Sequence, residues 1–330
     1  MRLLVTGGCG FIGSNFIRYW LEKHPEDQIV NIDSLVYPGN PDNLKDIENH
    51  PNYKFLQVDI RDFLEVSRAM TGCDIVVHFA AESHVDKSIY KPEDFISTNI
   101  LGTQVLLEAS AQTGVKRFHY ISTDEVFGDL SVDSKEKFHE ESPLKPRNPY
   151  AASKAAAEHF VCSYGLARKV PFTISNCTNN FGPYQHIEKF LPLMITNLLK
   201  GKNITLHGDG KHVRDWLYVI DHCRAIDTIL KKGEEGHKYV IGGELPKEVN
   251  NQELAKKVLK IMGLPESRIE FIKDRPANDR KYAVDCIKLR KLGWKPEHEF
   301  EEYLKKTIQW YKDNEWWWKE LKIRKPYPGF

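Results

Sequence analysis

Two short stretches hold the groups that could do chemistry: Ser122-Thr123-Asp124-Glu125 and Tyr150-Ala151-Ala152-Ser153-Lys154. Together they supply a hydroxyl, two adjacent carboxylates, a phenol and an ammonium. Tyr150 and Lys154 stand four apart, so on a helix both leave from one face. A phenol, with a pKa of about 10, is a weak base at neutral pH. A neighbouring ammonium favours the phenolate and should lower that value. Tyr150 could then take a proton from a hydroxyl while hydride leaves the same carbon, with Thr123 bonding that oxygen. Hydride transfer alone has no use for two carboxylates side by side. Next to a newly formed carbonyl, one could abstract the adjacent C–H proton while the other, protonated, donates to a departing hydroxyl. Like charges in a dry pocket push the two pKa values apart, as an acid–base pair requires. The plainer reading makes one of them a helix cap or a solvated charge.

Gly7-Gly8-Cys9-Gly10-Phe11-Ile12-Gly13 lies between the first expected strand and the first expected helix. Gly7 permits a tight turn, Gly10 lets backbone approach a pyrophosphate, and Gly13 lets helix and strand pack closely. The helix N-terminus, with Phe11 and Ile12 in its first turn, offers unpaired N–H groups to phosphates. Asp33 ends the second strand 20 residues past Gly13, where a carboxylate accepts from ribose hydroxyls and repels a 2′-phosphate. Ser34, not Arg, follows it, so NAD is expected rather than NADP. Asp59 and Ile60, after the third strand, are placed to hold the adenine edge. The plainer reading of Asp33 is a turn residue.

The elements that must position these groups alternate along the first half. Leu3–Thr6, Ile29–Asp33, Phe55–Val58, Ile75–Ala80 and Phe118–Thr123 read as strands buried on both faces. Phe11–His24, Phe63–Met70 and Phe95–Thr113 have helical spacing between them. The pattern predicts an α/β fold, a doubly wound parallel Rossmann sheet with ligands at the carboxyl ends of its strands. A helix over 150–168 and a strand Phe172–Cys177 complete it, giving an NAD-binding domain over 1–177. Beyond, Gly182-Pro183, Gly208-Asp209-Gly210 and Gly242-Gly243 punctuate shorter elements, with helices expected near 189–200, 251–262 and 299–313. Residues 178–330 are therefore expected to form a smaller α+β substrate-binding lobe, with 217–241 returning to the first domain. Trp316-Trp317-Trp318 reads as an aromatic anchor for the last helix.

The 330 residues suit two lobes, and 41% apolar content is enough for packed cores. With 47 basic against 46 acidic residues the net charge is +1, which argues against a nucleic-acid protein. The six cysteines are scattered with no CxxC, so neither a metal site nor a disulfide frame is expected. The chain runs directly into a strand, and no apolar run approaches the ~20 residues of a membrane span. No membrane partner and a cytoplasmic protein are the expectations.

The chain resembles the nucleotide-sugar branch of the extended short-chain dehydrogenase/reductase family over nearly its whole length. The segments that carry this are GGCGFIGSNF (7–16), DSLVYPGN (33–40), HFAAESHVDKSI (78–89), TNILGT (98–103), STDEVFGD (122–129), NPYAASKAAAEH (148–159), NCTNNFGPYQHIEKFLP (176–192), VRDWLYV (213–219) and DRPANDRKYAVD (274–285). Related 4-epimerases look more like SS-x-x-V-Y-G in the fifth of these, and decarboxylases like TSEVYG, so Asp-Glu points to dehydration. The resemblance implies a lyase acting on dTDP-glucose, a dTDP-hexose substrate, in deoxysugar supply of the rhamnose type. Tyr150 would be the base for oxidation at sugar C4, supported by Lys154 and Thr123. Glu125 would be the C5 base and Asp124 the C6 acid, with hydride returned to C6. It implies that Ala80, Ala81, Ser83, Thr98 and Asn176 line the NAD site. Ser83 and Thr123 would also touch substrate, and Asn179, Lys189, Phe190, Arg214, Asn251 and Arg275 would face the nucleotide and diphosphate. Asn278 stands where the family usually has His, and Ala277 where it has Gly; Asn can hydrogen-bond a phosphate or ribose but carries no charge. The resemblance also implies a homodimer. The small-residue face of the 150–168 helix (Ala151, Ala152, Ala155, Ala156) suits an intersubunit four-helix bundle. A UDP-sugar 4-epimerase or decarboxylase of the same fold is the alternative. A non-catalytic NAD-binding scaffold is disfavoured because every catalytic position is filled.

Overall fold

Leu3, Leu4 and Val5 are fully buried on an inner strand of a seven-stranded parallel sheet. The computed structural model describes residues 1–36, 38–274 and 278–321. The sheet strands are β1 (Arg2–Thr6), β2 (Gln28–Asp33), β3 (Tyr53–Gln57), β4 (Ile75–His78), β5 (Arg117–Thr123), β6 (Phe172–Cys177) and, further along, His237–Ile241. Shorter strands intervene: β7 (Asn179–Phe181), β8 (Ile204–His207), β9 (Val213–Arg214) and β10 (Trp216–Tyr218), so His237–Ile241 is β11. The last two strands are β12 (Val249–Asn250) and β13 (Ile269–Ile272). The order across the sheet is β11-β6-β5-β4-β1-β2-β3. It reverses between β1 and β4, which opens a crevice at their carboxyl ends.

Helices cover both faces, which is why the strands read as unbroken apolar runs. In chain order the first six are α1 (Phe11–Lys23), α2 (Phe63–Met70), α3 (Val85–Tyr90), α4 (Pro92–Phe95), α5 (Gly102–Thr113) and α6 (Pro149–Arg168). The rest are α7 (Phe190–Leu199), α8 (Val219–Lys232), α9 (Asn251–Met262), α10 (Ile287–Lys291), α11 (Phe300–Asp313) and α12 (Glu315–Leu321). Leu3, Val5 and Val77 pack with Phe16, Ile17, Trp20, Cys223 and Ile226 of α1 and α8. Leu4, Val76 and Phe118 point the other way, against Val66, Leu106 and Val161 of α2, α5 and α6. Among the described residues no helix is long and apolar enough to cross a membrane.

The helix expected over Phe95–Thr113 is instead α4, a π-helical stretch Ile96–Leu101, and α5. The wider turn brings Asn99 inward, where its side chain bonds both backbone groups of Glu82 and the Ser153 hydroxyl. Gly102 then lies against Ile60, where a Cβ would come within 2.5 Å of Cδ1. The expected strand Ile75–Ala80 ends at His78, freeing 79–81 to line the crevice.

A second core joins α7, α9, α11 and α12 around Leu191, Ile195, Leu254, Val258, Leu304 and Ile308. The aromatic anchor reading holds: Trp317 and Trp318 are buried in this core, while Trp316 is exposed.

Candidate active site

A cavity of about 1140 Å³ runs along the carboxyl edge of the sheet and between the two cores. Its first wall is the glycine loop. Gly7 has φ +70°, and a Cβ there would lie 2.6 Å from the Ala80 backbone, so only glycine fits. At Gly13 a Cβ would meet the Gly7 carbonyl oxygen at 2.5 Å. No side chain caps α1 at Gly10, and Gly10, Phe11, Ile12 and Gly13 all line the cavity. Asp33 is buried and accepts from Cys9 N at 3.0 Å and Leu35 N at 2.9 Å. Burial raises its pKa, and the two amide bonds pull it back. Ser34, Asp59, Ile60, Ala80, Ala81, Ser83 and Thr98 complete this wall. A glycine cradle that a Cβ would fill, an uncapped helix N-terminus and a buried carboxylate at the end of β2 together fit NAD.

Asn176 is not on the wall. It lies beneath it, fully buried, donating to the Thr123 carbonyl at 3.1 Å and to Glu158 Oε1 at 2.6 Å. Asn176 faces the adjacent strand end because β6 pairs Asn176 with Ser122.

Thr123, Asp124, Glu125, Tyr150 and Lys154 meet on one side of the cavity. Asp124 and Glu125 fall on a 3-10 turn, Asp124–Phe127, that Thr123 caps by accepting from Glu125 N at 3.2 Å. The Thr123 hydroxyl donates to Asp124 Oδ1 at 3.2 Å. Glu125 Oε2 accepts from Asn148 Nδ2 at 3.3 Å, and Asn148 in turn caps α6. Asp124 is 2% exposed, and its Oδ2 has no hydrogen-bond partner among the described residues. Burial, then Glu125 and Asp215, raise the Asp124 carboxyl well above the carboxylate range. Its surroundings therefore favour the protonated form of Asp124.

The expected lowering of the Tyr150 pKa is not what this arrangement gives. Burial raises the phenol well above its ordinary value, and Glu125 and Asp124 push the same way. Lys154 donates to the Ile121 carbonyl at 2.6 Å and sits 4.2 Å over the Tyr120 ring. Burial brings its ammonium down to about 8 against the pull of Glu158. Sequence spacing paired the phenol with the cation but did not weigh the burial of both or the two carboxylates.

Residues from the second half of the chain line the rest of the cavity. Asn179, Lys189, Phe190, Arg214, Asn251 and Asn278 are among them. Arg214 donates to the carbonyls of Val213 and Asp279 at 2.8 Å and reaches Asn278 Oδ1 at 3.4 Å. Lys189 bridges the cavity mouth to the Ser83 carbonyl at 2.7 Å. The acceptors Asn179 Oδ1 and Asn251 Oδ1 and the donor Trp216 Nε1 are buried without a hydrogen-bond partner among the described residues. Arg275 and Ala277 lie outside the described residues. Sequence reasoning missed an arm of the cavity lined by Asn197, Lys202, Thr205, His207 and Ile272. They are scattered over α7, the loop after it, β8 and β13, and no spacing marks them. It also missed Asn43, whose amide donates to the Cys9 carbonyl and whose Oδ1 accepts from Trp317 Nε1, each at 2.8 Å.

Comparison with known proteins agrees with this geometry. The family model described as GDP-mannose 4,6 dehydratase matches residues 4–307. A dTDP-glucose 4,6-dehydratase of Mycobacterium tuberculosis is 45% identical over 98% of this chain and 96% of its own length. The low-salt glycan biosynthesis protein Agl12 of Haloferax volcanii is also 45% identical, over 94% of this chain and 98% of its own. Among solved structures, DesIV, a dTDP-glucose 4,6-dehydratase from Streptomyces venezuelae crystallised with NAD, superposes with a TM-score of 0.94. That match is 43% identical and covers 97% of this chain and 100% of DesIV. The chain belongs to the nucleotide-sugar branch of the extended short-chain dehydrogenase/reductase family, among its NAD-dependent 4,6-dehydratases.

Proposed function

We propose that the protein dehydrates dTDP-glucose to dTDP-4-keto-6-deoxyglucose. The observation that carries this is the buried Asp124, its carboxyl held well above the carboxylate range, beside Glu125 and lining one cavity with Tyr150 and Lys154. An epimerase needs only the Tyr–Lys half, whereas loss of water needs an acid and a base as well. The near full-length similarity to dTDP-glucose 4,6-dehydratases supports the same substrate.

NAD, when bound, supplies the hydride acceptor and later donor together with a positively charged ring. Tyr150 takes the proton from the C4 hydroxyl, and the Lys154 ammonium and the ring offset the burial that otherwise keeps the phenol neutral. Glu125 takes the C5 proton, acidified by the C4 carbonyl. Asp124 donates its proton to the departing C6 oxygen, and water leaves. Elimination leaves a C5–C6 double bond; with hydride returned to C6, Glu125 gives its proton back to C5, and the cycle ends with Asp124 one proton short and Tyr150 one proton richer, a difference that exchange with solvent resets. Arg214, with Asn278 beside it, holds the diphosphate through a guanidinium fork, and the nucleoside occupies the arm lined by Asn197, Thr205 and His207.

The same proposal divides the chain into an NAD-binding domain over 1–177, with 217–241 returning to it, and a sugar-nucleotide lobe over 178–330. It places the enzyme in the cytoplasm, in supply of a rhamnose-type deoxysugar. It makes the protein a homodimer through a four-helix bundle. Ile96, Leu101, Phe160 and Leu166, all exposed on α6 and the helical run ahead of α5, favour such a face.

The test is the mass of the product from dTDP-, UDP-, GDP- and CDP-glucose. Loss of one water from dTDP-glucose, with no net NAD reduction, is expected. A product of unchanged mass from UDP-glucose would favour the epimerase.

A further inference from the structure

Glu158 lies one helical turn beyond Lys154 on α6 and is fully buried. Its Oε1 accepts from the Ser122 hydroxyl at 2.5 Å and from Asn176 Nδ2 at 2.6 Å, and its Oε2 accepts from Lys238 Nζ at 2.6 Å. A side chain accepting three hydrogen bonds, one from an ammonium, is a carboxylate. Such a group is costly to bury without a use for its charge or its bonds. Two of its donors stand at the strand ends that build the site: Ser122 precedes Thr123, and Asn176 also holds the Thr123 carbonyl.

We propose that Glu158, anchored by Lys238, is a positioning residue for the oxidation step: it sets a carboxylate one helical turn from Lys154 and fixes the strand end that carries Thr123. The other titratable groups facing Lys154 do not supply that charge. His78 of β4 is held neutral, its pKa driven well below 6.5 by burial and by Lys154 itself. Tyr120 of β5 is pushed well above 10 by burial and by Glu158. Cys177 of β6 is pushed up to about 12, chiefly by burial. Within α6, Tyr150 is a neutral phenol for the reasons above. From β11, Lys238 adds a second cation. Asp124 and Glu125 lie on the same side of the cavity, but Glu158 is the charge that acts most on Lys154, and it opposes the desolvation that brings the ammonium down to about 8.

The inference rests on the dehydratase reading only for its kinetic arm. In that arm the enzyme is mixed with dTDP-glucose, and the pH profile of the oxidation step is followed by the reduced-nicotinamide signal in a single turnover. Glu158→Gln should move the alkaline limb to lower pH by roughly one unit or more. Lys238→Met, which leaves the carboxylate and removes the competing cation, should move it to higher pH. Glu158→Asp should restore part of the wild-type profile. A purely structural role would lower the rate in both variants with the limbs in place. That result, or a downward shift in both, overturns the proposal. If Glu158→Gln does not fold, the direction of the Lys238→Met shift decides. The second arm needs no sugar: Tyr150 ionisation is titrated in the NAD complex by phenolate absorbance, with Tyr150→Phe as the blank. A higher phenol pKa in Glu158→Gln is expected, and no change overturns the inference whatever the enzyme's substrate proves to be.

Discussion

Replacing Asp215 with Asn should make the protein more stable at neutral pH and its elimination chemistry more sensitive to alkali. Asp215 follows Arg214, and its carboxyl packs tightly under Gly242 and Gly243. Gly243 N donates to Oδ2 at 3.0 Å, and a Cβ on Gly242 would come within 2.4 Å of the same atom. Burial raises the Asp215 pKa from 3.8 to about 6, while the Gly243 amide and Lys137 pull against it and Glu244 adds to it. A raised folded pKa means that the fold favours the protonated form. The stability this provides is complete below the unfolded value of 3.8 and is lost as pH rises through about 6. At about 1.4 kcal/mol for each tenfold, the mismatch costs the fold about 3 kcal/mol at neutral pH. Asn keeps the shape and the acceptor for Gly243 N but carries no charge. Asp215→Asn should therefore unfold several degrees above wild type at about pH 8 and nearly with it at about pH 4. The assay is a thermal melt across that range. Asp215 is also one of the two acids that hold Asp124 up, so the variant should lose elimination at a lower pH than wild type. A variant less stable than wild type at about pH 8, or an offset independent of pH, would refute the reasoning.

Gly7→Ala forces a Cβ against the Ala80 backbone at a positive φ, so NAD affinity should fall at least tenfold and the melting point with it, as a NAD titration and a melt would read. The added methyl alone costs about 1–3 kcal/mol when its neighbours cannot move. Trp317→Phe removes the donor to Asn43 Oδ1 and leaves a buried acceptor unpaired, at about 1–3 kcal/mol. Because Asn43 holds the Cys9 carbonyl of the glycine loop, NAD binding should weaken while binding of a dTDP-sugar stays as it was. Equal losses for both ligands would mean that Trp317 acts only on overall stability.

The parallel sheet was legible because strands covered on both faces are continuous apolar runs, and Leu3 and Leu4 do pack in opposite cores. The glycine loop and Asp33 were legible because each glycine meets a local steric demand that has a fixed spacing. Long-range geometry was not. The π-helical turn at Ile96–Leu101 follows from what Asn99 bonds in another segment. Asn176 looked like a wall residue, yet strand register turns it beneath the wall onto Glu158. The phenol's raised pKa depends on burial and on carboxylates that only the folded chain brings close. Trp317 read correctly as an anchor, but its bond to Asn43 spans 274 positions of sequence, and no local pattern records it.

The central claim is a division of labour, with oxidation by Tyr150 and Lys154 and elimination by Asp124 and Glu125. Single-turnover analysis of dTDP-glucose with Asp124→Asn, Glu125→Gln and Tyr150→Phe tests it most directly, following reduced nicotinamide and product mass together. General acid–base groups contribute roughly 10²–10⁴ in rate, so both carboxyl variants should accumulate reduced nicotinamide while water loss slows by that factor. Tyr150→Phe should give neither signal. Water loss at the wild-type rate from both carboxyl variants would contradict the account.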